Sequence, residues 1–132
     1  MKNIETRRLL VLAAALAAVS VAIAQAPAIK RTPLQKTDLQ GTDREVILGK
    51  AEIAPGGETG RHTHPGIETG YVLSGSTTLE VEGEGTRVLK AGDSYTIPYG
   101  RVHNARVEGS EPGVVLATYV VEKGKPLATP AR

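Results

Sequence analysis

The chain has 132 residues, which is enough for one domain and too few for two domains of ordinary size. It contains no cysteine, phenylalanine or tryptophan, so it forms no disulfide, has no thiolate to bind a metal, and must build its core from aliphatic residues and tyrosine. Its formal net charge is +2, from 16 basic and 14 acidic residues, and no basic stripe interleaved with aromatic residues is present. We therefore expect no nucleic-acid partner.

The first 24 residues have the composition of a cleaved signal peptide. A basic start with Lys2 and the pair Arg7-Arg8 precedes an apolar run at residues 9–23, and Ala-Ile-Ala then supplies a small-x-small cleavage pattern before Gln25. A membrane anchor is the alternative, but the run is short for a bilayer span. The arginine pair suits both the general and the twin-arginine export routes. The pattern predicts a periplasmic or secreted protein with no membrane contact after cleavage.

Removal of this leader leaves a domain without net charge. The leader holds Lys2, Arg7 and Arg8 against Glu5, so residues 25–132 keep 13 of the 16 basic and 13 of the 14 acidic residues. The sequence pI of about 9.0 comes largely from the leader, and it indicates nothing about an acidic partner.

Residues 25–32 form a polar, proline-flanked lead-in without periodicity, for which we expect a flexible arm. Residues 33–132 have the pattern of a single all-β domain, because β-branched and aliphatic segments alternate with turn residues at intervals of roughly eight to ten residues. This rhythm is typical of an antiparallel sandwich or barrel, and no segment after the leader has a helical stripe. The predicted strands cover residues 45–53, 69–73, 77–82, 86–90, 94–97, 102–107 and 114–121.

All three histidines of the chain lie in a metal-ligand pattern. His62 and His64 are two residues apart, so on a β-strand both imidazoles face the same side. Glu68 follows four residues after His64, and His103 comes shortly after the turn at residues 98–100. Three imidazoles and one carboxylate are a typical donor set for one divalent transition ion such as iron, manganese, nickel, copper or zinc.

Two motifs with intact spacing resemble those of the cupin superfamily. The first is a glycine, five residues, His-x-His, three or four residues, Glu, six residues and a glycine, supplied here by Gly56, His62, His64, Glu68 and Gly75. The second is a glycine, five residues, Pro-x-Gly, two residues, His, three residues and Asn, matched by Gly92, Pro98, Gly100 and His103 with Val107 in place of the asparagine. The resemblance implies a jelly-roll β-barrel that gathers the four ligands at its mouth. It also puts in doubt any hydrogen bond that the asparagine would make.

The resemblance leaves two functions open. The first is a metal-dependent enzyme of the dioxygenase type that acts on a small organic molecule, with Glu68 either remaining a ligand or moving away to act as a general base. The second is a periplasmic binding or sensing protein whose metal is structural or captures a ligand without transforming it. An open coordination position beside a ligand-sized cavity favours the enzyme, whereas a sealed metal favours the binding protein.

Other residues are candidates for the pocket and for assembly. Tyrosines with a polar tip can line a pocket, and arginines beside the ligand histidines can attract an anionic substrate; the candidates are Tyr71, Tyr95, Tyr99, Tyr119, Arg61 and Arg101. A small barrel of this composition would gain from a homodimer, built from residues 32–40 and the last strand. The tail at residues 122–132 lacks strand periodicity, and we expect it to lie over a neighbouring subunit or to remain loose.

Overall fold

The computed structural model describes residues 28–132, and the predicted export signal lies outside this part of the chain. Every regular element of residues 28–132 is a β-strand, as the turn rhythm predicts. Within the same range, no helix has the length and hydropathy needed to cross a bilayer. The ten strands are β1 (Ile29–Leu39), β2 (Arg44–Ile53), β3 (His62–Thr63), β4 (Gly66–Ser74), β5 (Ser76–Val81), β6 (Gly85–Lys90), β7 (Ser94–Ile97), β8 (His103–Arg106), β9 (Gly113–Glu122) and β10 (Thr129–Pro130).

The strands form two five-stranded antiparallel sheets. The first sheet has the order β1-β2-β9-β4-β7, and the second has the order β10-β3-β8-β5-β6. Strands distant in sequence are neighbours in both sheets, since β2 pairs with β9 along its whole length and β3 pairs with β8. The predicted all-β barrel architecture is confirmed.

Side-chain alternation places the core between the sheets. In β4, Glu68, Gly70 and Val72 face inward and are buried, whereas Ile67 and Tyr71 face outward and are exposed. The inward side chains of β5, β6, β7 and β9 complete the cluster, which consists of Val72, Leu79, Val81, Leu89, Ile97, Val115 and Ala117. This aliphatic cluster lies between the sheets, and at one end of the barrel the buried side chains are polar instead.

The prediction of a flexible arm at residues 25–32 was wrong from Ile29 onward. Strand β1 begins there and pairs with β2 from Ile29 opposite Ile53 to Leu39 opposite Arg44. It is an edge strand, and nearly all of its side chains are exposed. Because apolar alternation reports burial of one face, a strand held mainly by main-chain hydrogen bonds lacks that signal.

The prediction for the tail was also wrong. Residues Thr129 and Pro130 form β10 and pair with Thr63 and His62 of β3, and Ala131 N–H donates to the Arg61 carbonyl. The end of the tail therefore pairs with the barrel of its own chain. A two-residue strand is too short for any periodicity to show in the sequence.

Candidate metal centre

Both sheets contribute side chains to one end of the barrel. His62 in β3 and His103 in β8 are direct partners in the ladder, and His64 lies one residue beyond the end of β3. Glu68 comes from β4 in the opposite sheet and points inward. Of the two closely spaced histidines, His62 therefore lies on a two-residue strand, and His64 directly follows that strand.

The four predicted ligands lie together. The three histidines each offer a ring nitrogen, and these nitrogens all lie within 4.8 Å of one another. Glu68 Oε2 is 2.9 Å from His64 Nε2 and 3.3 Å from His103 Nε2. The four side chains are buried, with residue exposures of 8% for His62, 6% for His64, 5% for Glu68 and 4% for His103. A cluster of this density needs an explanation, because buried polar groups are costly unless they are partnered.

Main-chain carbonyls fix the orientation of all three rings. The Nδ1 atom of His62 lies 2.7 Å from the Gly60 carbonyl, that of His64 lies 2.5 Å from the Leu127 carbonyl, and that of His103 lies 2.9 Å from the Arg101 carbonyl. A carbonyl only accepts hydrogen bonds, so each Nδ1 must carry the proton. In the neutral imidazole the remaining Nε2 is then an acceptor, and its lone pair is free to bind a cation.

The acceptor atoms that face one another at the centre require a positive charge between them. Glu68 Oε2 faces the acceptor nitrogens of His64 and His103, and a carboxylate repels a lone pair unless a proton or cation lies between them. The buried His64 Nε2 has no hydrogen-bond partner. Burial, with a smaller contribution from His103 and His64, lowers the pKa of His62 to about 4, so a second proton on this ring is unfavourable at neutral pH. The donor set therefore fits a divalent transition ion.

Tyr95 holds the other oxygen of Glu68. Its hydroxyl, on β7, donates to Glu68 Oε1 over 2.6 Å. Burial raises the pKa of Glu68, whereas hydrogen bonds from His103, His64 and Tyr95 lower it and bring it below its usual range. With both rings protonated on Nδ1, the positive charge of a bound cation would take the place of the two ring donors. Burial and the adjacent carboxylate raise the pKa of Tyr95, so the phenol keeps its proton. Glu68 is consequently an ionised carboxylate with one oxygen directed at the histidines.

Two cavities adjoin the centre. An inner cavity of about 40 Å³ lies between the sheets beside His62, Glu68 and His103, and it has room for no more than a few waters. An outer cleft of about 450 Å³ borders His62 and His64 and is closed on one side by Leu127 and other tail residues. Its volume lies in the range of small-molecule sites.

The structure places two of the four tyrosines at the centre. Tyr95 and Tyr119 line the inner cavity, and the Tyr119 ring meets that of His64 edge to face at 4.9 Å between centroids. Tyr71 is 48% exposed on the outer side of β4. Tyr99 is 56% exposed and donates to Glu122 under the Arg44 guanidinium, so these two tyrosines lie outside both cavities.

The predicted arginines are engaged elsewhere. Arg61 borders the outer cleft, but its guanidinium is 3.3 Å from Glu80 and 3.6 Å from Glu82. Arg101 donates to the Glu82 carbonyl at 2.9 Å. Sequence reasoning missed Arg31, which lines both cavities from β1. The signal that could have identified it is the alternation of Ile29 and Arg31 on one strand face, provided that β1 is recognised as a strand.

Val107, which replaces the asparagine of the second motif, is held in place through its main chain. Val107 is 2% exposed, and its main chain pairs with Gly56 and Gly57 through hydrogen bonds of 2.9 and 3.0 Å. The main chain of the second motif is thus joined to the first without a side-chain amide at this position.

Residues 49–119, which are more than half of the chain, match the family model of the cupin domain. The protein is a cupin. Among curated relatives, germin-like protein subfamily 2 member 2 of Arabidopsis thaliana is 33% identical over 79 residues, which cover 56% of this cupin and 36% of that protein. The chain spans about a third of the length of the germin-like proteins it matches.

Solved structures share the fold of this cupin. A recombinant oxalate oxidase in complex with glycolate superposes with a TM-score of 0.66 at 22% identity, covering 80% of this chain and 56% of that one. A conserved protein with a double-stranded β-helix domain from Klebsiella pneumoniae gives a TM-score of 0.60 at 28% identity, covering 79% and 85% of the two chains. The likeness to the oxidase is a likeness of fold.

Proposed function

We propose that this cupin is a metal-dependent enzyme that acts on a small organic molecule by oxygen-dependent chemistry of the dioxygenase type. His62, His64, Glu68 and His103 would hold one divalent iron, manganese, nickel, copper or zinc ion. The observation that carries the proposal is the grouping of three histidine ring nitrogens within 4.8 Å of one another, with the Nε2 atoms of His64 and His103 facing the free oxygen of Glu68.

When bound, such an ion polarises an oxygen of the substrate and, if it is redox-active, exchanges electrons with dioxygen. The protein supplies the surroundings of this chemistry. The apolar side chains of Leu79, Val115 and Ala117 line the inner cavity and limit the access of water. Electrostatic interactions are stronger in such a site than in water.

Glu68 suits the role of a ligand better than that of a general base. The Tyr95 hydroxyl holds Oε1, and the packed strand β4 holds the main chain, so no alternative position for the carboxylate is provided. The hypothesis that Glu68 moves away and takes a proton is therefore the less favoured of the two.

The outer cleft supports an enzyme over a sealed site. It borders two of the four proposed ligands and has the volume of a small-molecule site. The small inner cavity and the burial of all four ligands favour the second candidate, a non-catalytic binding protein with a structural metal.

Metal loading followed by turnover measurements tests the proposal. Metal-free full-length protein is loaded separately with Fe(II), Mn(II), Ni(II), Cu(II) and Zn(II), and oxygen uptake is followed with small organic acids, diketones, catechols and thiols. We expect stoichiometric metal binding and uptake with a redox-active ion, both abolished by His62→Ala and retained by Tyr71→Phe on the outer face. Metal binding without turnover for any ion would favour the binding protein, and absence of metal binding would overturn both.

We further propose that the protein is exported, cleaved before Gln25 and homodimeric. The composition of residues 1–24 supports export. Mass spectrometry of the protein from its own host would show the new N-terminus, and light scattering of that species would show the oligomeric state.

A further inference from the structure

A charged residue of the edge strand β1, Arg31, borders the metal centre. Arg31 lines the inner cavity together with His62 and Glu68, and it lines the outer cleft together with His62 and His64. Its side chain is exposed, and Ile29, two residues earlier on the same strand face, borders the inner cavity as well. Arg31 therefore stands at the boundary between the buried ligands and the open cleft.

The charge of Arg31 has no carboxylate partner within 4.0 Å in residues 28–132, whereas Arg44, Arg61 and Arg106 each have one. Glu68 is the only acidic residue on the walls of the two cavities, as far as the described residues show. Its two oxygens are directed at the histidines and at Tyr95. Arg31 thus borders two cavities whose single carboxylate, that of Glu68, is already engaged by the histidines and Tyr95.

We propose that Arg31 is the anion-binding residue of this site and that the substrates are small carboxylic acids. This inference rests on the proposed function and specifies its substrate class. A guanidinium presents a planar fork of donors that matches a carboxylate through two parallel hydrogen bonds. With a divalent ion and the single negative charge of Glu68, Arg31 gives the site a net positive charge that attracts anions from solution.

The dimensions of the site limit the acid to a small one. The inner cavity of about 40 Å³ does not admit an organic molecule, so the acid occupies the outer cleft. There it is bordered by Arg31, by the buried rings of His62 and His64, and by the tail residue Leu127.

The test compares a carboxylate with its neutral amide. Calorimetry measures the binding of glycolate and of glycolamide to the zinc-loaded full chain and to its Arg31→Gln variant. Lys30→Gln is the matched control, because it removes the same charge from the neighbouring residue, which faces the opposite side of β1 and lines neither cavity. We expect Arg31→Gln to weaken glycolate binding by roughly 10- to 100-fold and to leave glycolamide binding unchanged, with the Lys30→Gln control behaving as wild type.

Equal glycolate affinity in wild type and Arg31→Gln would overturn the inference, as would a wild-type protein that binds zinc but neither glycolate nor acetate at millimolar concentration. Zinc binding is measured first and does not involve Arg31, so its absence would count against the proposed function alone. In that event the same comparison in metal-free protein still decides whether Arg31 selects the carboxylate over the amide.

Discussion

Gly70 and Tyr95 are direct partners in the ladder between β4 and β7, and the Tyr95 ring lies in the space that a side chain at Gly70 would occupy. A Cβ atom at residue 70 would overlap the ring itself. The ring is thereby laid flat across β4, and its hydroxyl reaches Glu68 two residues along the same strand. A glycine that no motif marks thus sets the position of the phenol that holds a proposed metal ligand.

We predict that Gly70→Ala destabilises the fold because the Tyr95 ring must move out of its packed position. Overpacking of this kind costs about 1–3 kcal/mol. Urea denaturation of the metal-free protein measures the change in the free energy of unfolding. Gly109→Ala is the control, since a Cβ there meets nothing within 4 Å. Equal stability of the two variants would show that the Tyr95 ring can move without loss of stability, which would contradict the prediction.

Tyr95→Phe removes the hydroxyl and keeps the ring. Glu68 then loses its hydrogen bond to Oε1, and the carboxylate becomes free to rotate away from the histidines. Loss of such a supporting partner reduces metal affinity by roughly 10- to 100-fold, which competition with a chelating dye measures. Tyr71→Phe, an exposed tyrosine on the other face of β4, should bind metal as the wild type does. A wild-type affinity in Tyr95→Phe would contradict this role of Tyr95.

His103→Ala should abolish stabilisation of the fold by metal. An ion that binds only the folded state at about 100 times its dissociation constant adds about 2.7 kcal/mol, which for a domain of this size raises Tm by about 10 °C or more. Thermal unfolding of wild type and variant with and without Zn(II) or Mn(II) shows the difference. An equal rise in Tm for both proteins would place the ion elsewhere on the chain.

Deletion of residues 126–132 should weaken metal binding without removing a ligand. The Leu127 carbonyl then no longer accepts the His64 Nδ1 proton, and β3 loses its pairing with β10. We expect the metal dissociation constant to rise roughly tenfold or more, and hydrogen exchange at Thr63 to become faster. Removal of Arg132 alone, an exposed residue beyond β10, is the control. Unchanged affinity in the longer deletion would show that the Leu127 carbonyl is dispensable.

The sequence allowed prediction of those strands that bury one face. The predicted strand at residues 94–97 has the same bounds as β7, in which the more buried Tyr95 and Ile97 alternate with exposed residues. The predicted strand at residues 45–53, which is rich in aliphatic residues, differs from β2 by one residue. Strands β1 and β10 escaped prediction because they are held by main-chain pairing at sheet edges, which leaves no side-chain pattern. Long-range register, as in the pairing of Ile29 with Ile53, is not encoded in local composition.

The candidate site was likewise predicted in part: the proposed metal ligands were identified, and some of the pocket residues were not. The histidines and Glu68 were predicted from spacing, since metal coordination restricts both residue type and interval. The choice among tyrosines and arginines failed in part, because Tyr99 and Arg101 differ from Tyr95 and Arg31 only in the partners that folding gives them. Proximity to a ligand in sequence was a poor guide, since Arg31 is 31 positions from His62 and borders the same cavity.

The contact between His64 and Leu127 joins residues 63 positions apart, and it imposes an order on biosynthesis. A nascent chain that has left the ribosome up to His103 already carries every proposed donor. It still lacks strand β9, which joins β2 to β4, and the carbonyl that sets the tautomer of His64. Capture of the ion at full strength would therefore wait until β9 and Leu127 have folded into place, so the compartment in which folding ends would also determine which metal the protein acquires.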